Sequence, residues 1–219
     1  MFSFFEKLTN PFPASHPTQP PKNMVAFCKH YTQGMWPVLL TVSALSAIVA
    51  MLEVALFGFM GQLVDWFTEQ DRSTFIENEG NRLIMMGLVV VVLIPGFILL
   101  RSLFSRQSLL GNYPMRIRWQ AHRYLLSQSL TFFQNEFAGR VATKVMQTAL
   151  SVRETVMKLL DLMVYIGVYF ISMVVLIFTA DWRLALPLLI WLGVYSVILR
   201  VLVPKLKQVS QHQADARSL

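Results

Sequence analysis

The chain has 219 residues, 55% hydrophobic and only 14% charged, with a mean hydropathy of +0.51; an ordinary soluble domain carries roughly 25% charged residues. A single cysteine, Cys28, excludes an internal disulfide, and His16, His30, His122 and His212 show no metal-ligand spacing, so the sequence offers no ground for redox or metal chemistry. The net charge of +7 sits in basic residues flanking apolar runs, which orients a protein in its membrane and does not point to nucleic acid.

Residues 1–22 have no apolar core and no small-residue cleavage site, so they are not a secretory signal. Within them, 11–21 (PFPASHPTQPP) hold five of the ten prolines and read as an extended, proline-rich cytoplasmic tail with no means of forming a packed core. In 23–36, Met24, Phe27, Cys28, Tyr31 and Met35 recur at helical spacing opposite Lys29, His30 and Gln33. This pattern predicts a short helix lying in the cytoplasmic interface.

Four apolar runs follow, about 37–64, 83–100, 156–180 and 184–203, each of bilayer-spanning length. Hydrocarbon demands internal partners for every backbone amide, and the runs lack the alternation of a barrel strand, so the expected fold is all-α with four long transmembrane helices. The segment 65–82 carries two basic residues against five acids and is expected outside. The segment 101–155 carries eight basic residues against Glu136 and Glu154, and the tail adds Arg200, Lys205, Lys207 and Arg217. Both are expected in the cytoplasm, with both termini. The turn TADWR at 179–183 closes the topology as a tight outer hairpin.

The stretch 101–155 is longer than a plain connection and reads as a cytoplasmic helical hairpin. On its return arm Val141, Val145, Ala149, Val152, Val156 and Leu160 form one stripe. On the outgoing arm Met115, Trp119, His122 or Arg123, Leu126 and Leu130 form a weaker one, with Gly111, Asn112 and Pro114 expected to bend it. The tip holds Phe132, Phe133, Glu136, Phe137, Gly139 and Arg140. Its phenylalanines either ask for a partner surface or pack inside the hairpin, and Gly139 suits a turn or close backbone approach.

Some residues within the spans also stand out. Glu53 lies mid-span, where it faces either a translocation pathway or a structural hydrogen-bond partner. Asp161, three residues from Lys158, reads as one half of a local ion pair. Pro95 and Pro187 are expected to kink their helices.

The order of these features resembles the membrane domain of ATP-binding cassette (ABC) exporters, whose half-transporters carry six long helices. Phe132, Phe133, Gly139, Arg140 and the amphipathic start 141–146 match the pattern around that family's coupling helix, and DWRLAL at 181–186 is similar to its outer turn between spans three and four. The resemblance makes 23–36 an interfacial elbow helix and 37–219 part of the transmembrane domain. It also implies that spans five and six and a nucleotide-binding domain follow Leu219. It assigns Phe132, Phe133, Glu136, Phe137, Gly139 and Arg140 to contact with the nucleotide-binding domain, supplied by the missing C-terminal part or a separate chain.

The chain has no GxxxxGK[ST] loop. Hence no catalytic or cofactor-binding residue is expected here, and ATP and Mg belong to the missing domain. The implied function is the permease part of an exporter of a lipid or amphipathic small molecule. It would act as a homodimer or heterodimer of half-transporters in a bacterial inner membrane. The competing reading is a four-span sensor or anchor that docks a cytoplasmic signalling protein without transport.

Overall fold

A computed structural model describes residues 3–14, 18–69, 75–135 and 138–218. The described residues form ten α-helices and no strand. They are α1 (Ser3–Lys7), α2 (Met24–Thr32), α3 (Trp36–Glu69), α4 (Phe75–Leu88), α5 (Ile94–Leu103), α6 (Asn112–Leu126), α7 (Leu130–Asn135), α8 (Ala138–Met157), α9 (Met163–Ala180) and α10 (Trp182–Ser218). Three π-helical segments, Val89–Leu93, Phe104–Leu109 and Lys158–Leu162, join α4 to α5, continue α5 and join α8 to α9. Among the described residues four helical stretches are long and apolar enough to cross a membrane: Trp36–Thr68, Glu79–Leu126, Gly139–Ala180 and Trp182–Lys207.

The second and third stretches have 48 and 42 residues, about 72 and 63 Å of helix, roughly twice a bilayer's 30 Å hydrocarbon core. Their surplus is the hairpin of α6 and α8. Apolar side chains such as Val91 and Leu99 lie exposed on the spans, as expected where lipid or further helices complete the surroundings.

The chain divides into two compact units, Met1–Tyr169 and Phe170–Leu219. In the first, a core gathers Tyr31 and Met35 from the α2 end, Val38, Leu39 and Val42 from α3, Leu109, Tyr113 and Ile117 from the outgoing arm, and Ala149, Val152 and Val156 from the return arm. The return stripe therefore faces the core. The outgoing stripe is shifted in phase: Met115, Leu126 and Leu130 are exposed, and Leu109, Tyr113 and Ile117 are buried instead. Within α6 three arginines, Arg116, Arg118 and Arg123, interrupt the apolar residues, so helical period alone does not choose between its faces, and the face of Tyr113 and Ile117 is the one against the core. Pro114 falls in the first turn of α6, where its missing N–H removes no intrahelical bond.

Between α2 and α3 the chain makes a tight turn closed by Met35 N–H donating to Thr32 O at 3.0 Å. Gln33 has φ −53° and ψ 130° and Gly34 has φ +80°, a type II turn that favours glycine at its third position. A Cβ there would also lie 2.8 Å from the Arg116 guanidinium. Gly34→Ala is therefore expected to lower stability by about 1–3 kcal/mol, seen as a lower melting temperature in detergent; an unchanged value would show that the turn relaxes freely. Gly139, by contrast, serves no turn or close approach. It lies in the first turn of α8, has open space at its Cβ position, and is not among the glycines of positive φ.

The tail differs from an unstructured linker. Residues 5–14 lie along the outgoing arm: Thr9 is buried and donates to Ser108 O at 2.7 Å, and Phe5 packs edge-on against Phe104 at 5.1 Å. Asn10, Pro13 and Ala14 present backbone carbonyls, and the arm supplies side-chain donors for them.

Pro95 lies at the start of α5, just after a π segment; the wider turn accommodates the ring that an α-turn would drive into the carbonyl four residues back. In the second unit α10 runs through Pro187 and Pro204 as one helix. Asp181 caps it by accepting from Arg183 N–H at 2.9 Å.

Candidate functional site

Two places hold polar or aromatic groups that packing alone does not demand. The first is a polar cluster among the first three spans. The π segment Lys158–Leu162 places Asp161 against two neighbouring helices. Arg101, at the end of the second apolar run, grips it with two bonds, Nε to Oδ1 at 3.1 Å and Nη2 to Oδ2 at 3.0 Å. Ser46 of α3, fully buried, donates to the same Oδ1. One turn away, Ser43 donates to Leu160 O, a carbonyl within the π segment. A π turn disrupts the i to i−4 ladder, and Ser43 supplies a partner from outside the helix.

Four residues beyond Asp161, Tyr165 donates its hydroxyl to the Glu53 carboxylate, and the Arg101 guanidinium lies 5.9 Å from the centre of the Tyr165 ring. Arg101 thus links two rungs, Ser46–Asp161 and Glu53–Tyr165, by a charge-assisted fork and a cation–π contact. The structure gives Glu53 the hydrogen-bond partner that was one of its two readings. It overturns the local pairing of Asp161 with Lys158: the carboxylate's ion-pair partner is Arg101, 60 residues away in sequence. Charge counting by loop hides this role of Arg101, because the residue also belongs to the basic segment that follows. The usable signal is an Arg at the end of one apolar run and an Asp at the start of another, since intramembrane charges usually pair.

The second place is the hairpin tip. Ser129 caps α7 by accepting from Phe132 N–H at 3.4 Å. Phe132 and Phe133 meet edge-to-face at 5.4 Å. Phe133 is 42% exposed, with its covered side lining a groove of about 360 Å³ beside Arg118, His122, Val141 and Val145. Part of the ring packs against the arms and the rest is exposed. Arg140 and Gly139 are exposed on α8. Glu136 and Phe137 lie outside the described residues.

Comparison with known proteins places this geometry. The ABC transporter transmembrane region matches residues 39–219. An uncharacterized ABC transporter ATP-binding protein of Haemophilus influenzae is 43% identical over 220 residues, covering 100% of this chain and 36% of that protein. An ATP-dependent lipid A-core flippase of Chromobacterium violaceum is 24% identical over 190 residues, covering 84% of this chain and 32% of the flippase. The chain thus spans about a third of the length of the curated relatives it matches. No solved structure matches it significantly. With four apolar helices, a projecting helical hairpin and a match over most of its length, the chain belongs to the family of ABC transporter transmembrane regions.

Proposed function

We propose that the chain is the permease part of an ATP-driven half-transporter that exports a lipid or amphipathic small molecule. The hairpin carries this reading. The spanning helices run on as α6 and α8, pack through Tyr113, Ile117, Ala149 and Val152, and end in Phe132 and Phe133. In this reading the tip, with Phe132, Phe133, Glu136, Phe137, Gly139 and Arg140, docks on a nucleotide-binding domain that holds ATP and Mg. Closure of that domain turns the rigid arms and opens the path on the other side of the membrane. Two half-transporters, alike or different, enclose the path, with both termini in the cytoplasm of a bacterial cell. Glu53, half-buried on α3, stands on that path. The lipid A-core flippase among the relatives supports an amphipathic cargo.

Orientation and transport are tested on the full-length protein. With Cys28 replaced by serine, single cysteines at 70–80 should react with an impermeant maleimide from outside, whereas cysteines at 130–135 should react only after permeabilisation. External labelling of the tip would reverse the orientation and remove the coupling role. In proteoliposomes, hydrolysis of ATP should move a fluorescent phospholipid or an amphipathic dye between leaflets; vigorous hydrolysis with no movement of either would favour a sensor or anchor.

A further inference from the structure

The outgoing arm has a second built face. Asn112, Arg116, Trp119 and Arg123 recur at i, i+4, i+7 and i+11 along α6, on a face next to that of buried Tyr113 and Ile117. Each presents an N–H donor, and each donor meets the N-terminal segment. Asn112 Nδ2 reaches Glu6 O at 3.0 Å and Thr9 Oγ1 at 2.9 Å. Arg116 Nη1 donates to Asn10 O at 2.9 Å. Trp119 Nε1 donates to Pro13 O at 3.2 Å, and Arg123 Nη1 to Pro13 O at 3.3 Å and Ala14 O at 3.1 Å. Phe12 stands edge-on to the Trp119 ring at 5.4 Å, and the Arg123 guanidinium lies 6.0 Å from the centre of that ring.

The segment is matched to this row in kind. Asn10 Oδ1 accepts from Phe12 N–H at 2.9 Å, an Asx turn that holds Pro11-Phe12-Pro13 in one shape. Pro11 and Pro13 lack N–H groups, so the segment offers acceptors, and the helix face offers donors and an aromatic ring. Proline-rich peptides are bound elsewhere by this same combination, because their restricted backbone loses little entropy on docking.

We propose that this face of α6 is a docking site for a proline-bearing peptide, occupied in cis by residues 5–14, and that the segment is a releasable strap on the hairpin arm. Two features make release feasible. Phe12 is more than half exposed, and Thr9 is the one fully buried residue of the strap, so few of its side chains are deeply inserted. The arm's core contacts, through Leu109, Tyr113 and Ile117, are shared with α2, α3 and the return arm, whereas the strap meets the arm through Phe104, Ser108 and the row of donors.

The test uses the full-length protein in detergent, with a specific protease site inserted after residue 17, and a fluorescein-labelled peptide of residues 3–14. Before cleavage the peptide should not bind. After cleavage and washing it should bind saturably in the micromolar range, at least about tenfold more weakly when the peptide carries Phe12→Ala or the protein Trp119→Ala. A cleaved segment that resists washing should be released by Trp119→Ala. Equal binding before and after cleavage, no binding to the washed protein, indifference to both substitutions, or loss of folded protein on release would each overturn the proposal.

Discussion

Replacing Arg101 by alanine is expected to be among the most damaging single changes in the spans, at about 3–5 kcal/mol. Arg101 and Asp161 are 29% and 20% exposed, and the residues around them are apolar runs of three spans. Deleting the guanidinium leaves the Asp161 carboxylate, among the described residues, with the Ser46 hydroxyl, and removes the cation beside the Tyr165 ring. Asp161→Ala should cost a similar amount, for it strands the arginine. The double variant should cost less than the sum of the two, because neither charge is then left alone in a poorly hydrated site. The fraction of full-length protein that stays monodisperse after graded heating in detergent measures all three. Strict additivity, or a wild-type profile for Arg101→Ala, would mean that water or lipid headgroups satisfy both charges and that the fork holds nothing together.

That pair also marks the boundary of what the sequence discloses. The spans, the hairpin and the return stripe are legible because each rests on a local property, run length or helical period, that neighbouring residues fix between them. Val152 and Val156 follow the period and are buried. The outgoing stripe fails because Arg116, Arg118 and Arg123 break up the apolar residues of α6, and the period then fits more than one face; only contact with α2, α3 and the return arm selects Tyr113 and Ile117. The strap is hidden for a related reason. A proline-rich stretch cannot form a core of its own, and only the donors of Asn112, Arg116, Trp119 and Arg123, some hundred residues on, give its carbonyls a place. Asp161 is misassigned for want of the same long-range information: Lys158 is near in sequence, but Arg101 is near in space.

Truncating Phe133 to alanine should separate folding from coupling in the proposed half-transporter. The side chain is 42% exposed and its covered side lines a groove between the arms. Its contribution to the hairpin alone should therefore be about 1 kcal/mol, well short of the 1.5–3 kcal/mol of a fully buried phenylalanine. Docked in a partner groove the same ring would be desolvated on both sides, and such anchors commonly cost 2 kcal/mol or more when truncated. The full-length variant should then fold in near-normal yield and retain basal ATP hydrolysis, while losing about tenfold or more of substrate-stimulated hydrolysis and transport. Phe132, whose ring meets Phe133 edge-to-face, should show a weaker version of the same defect. Folded yield, basal hydrolysis and stimulated transport are read on one preparation. Low yield with normal transport per folded molecule would place the residue's work inside the hairpin, and normal yield with normal coupling would remove Phe133 from the contact.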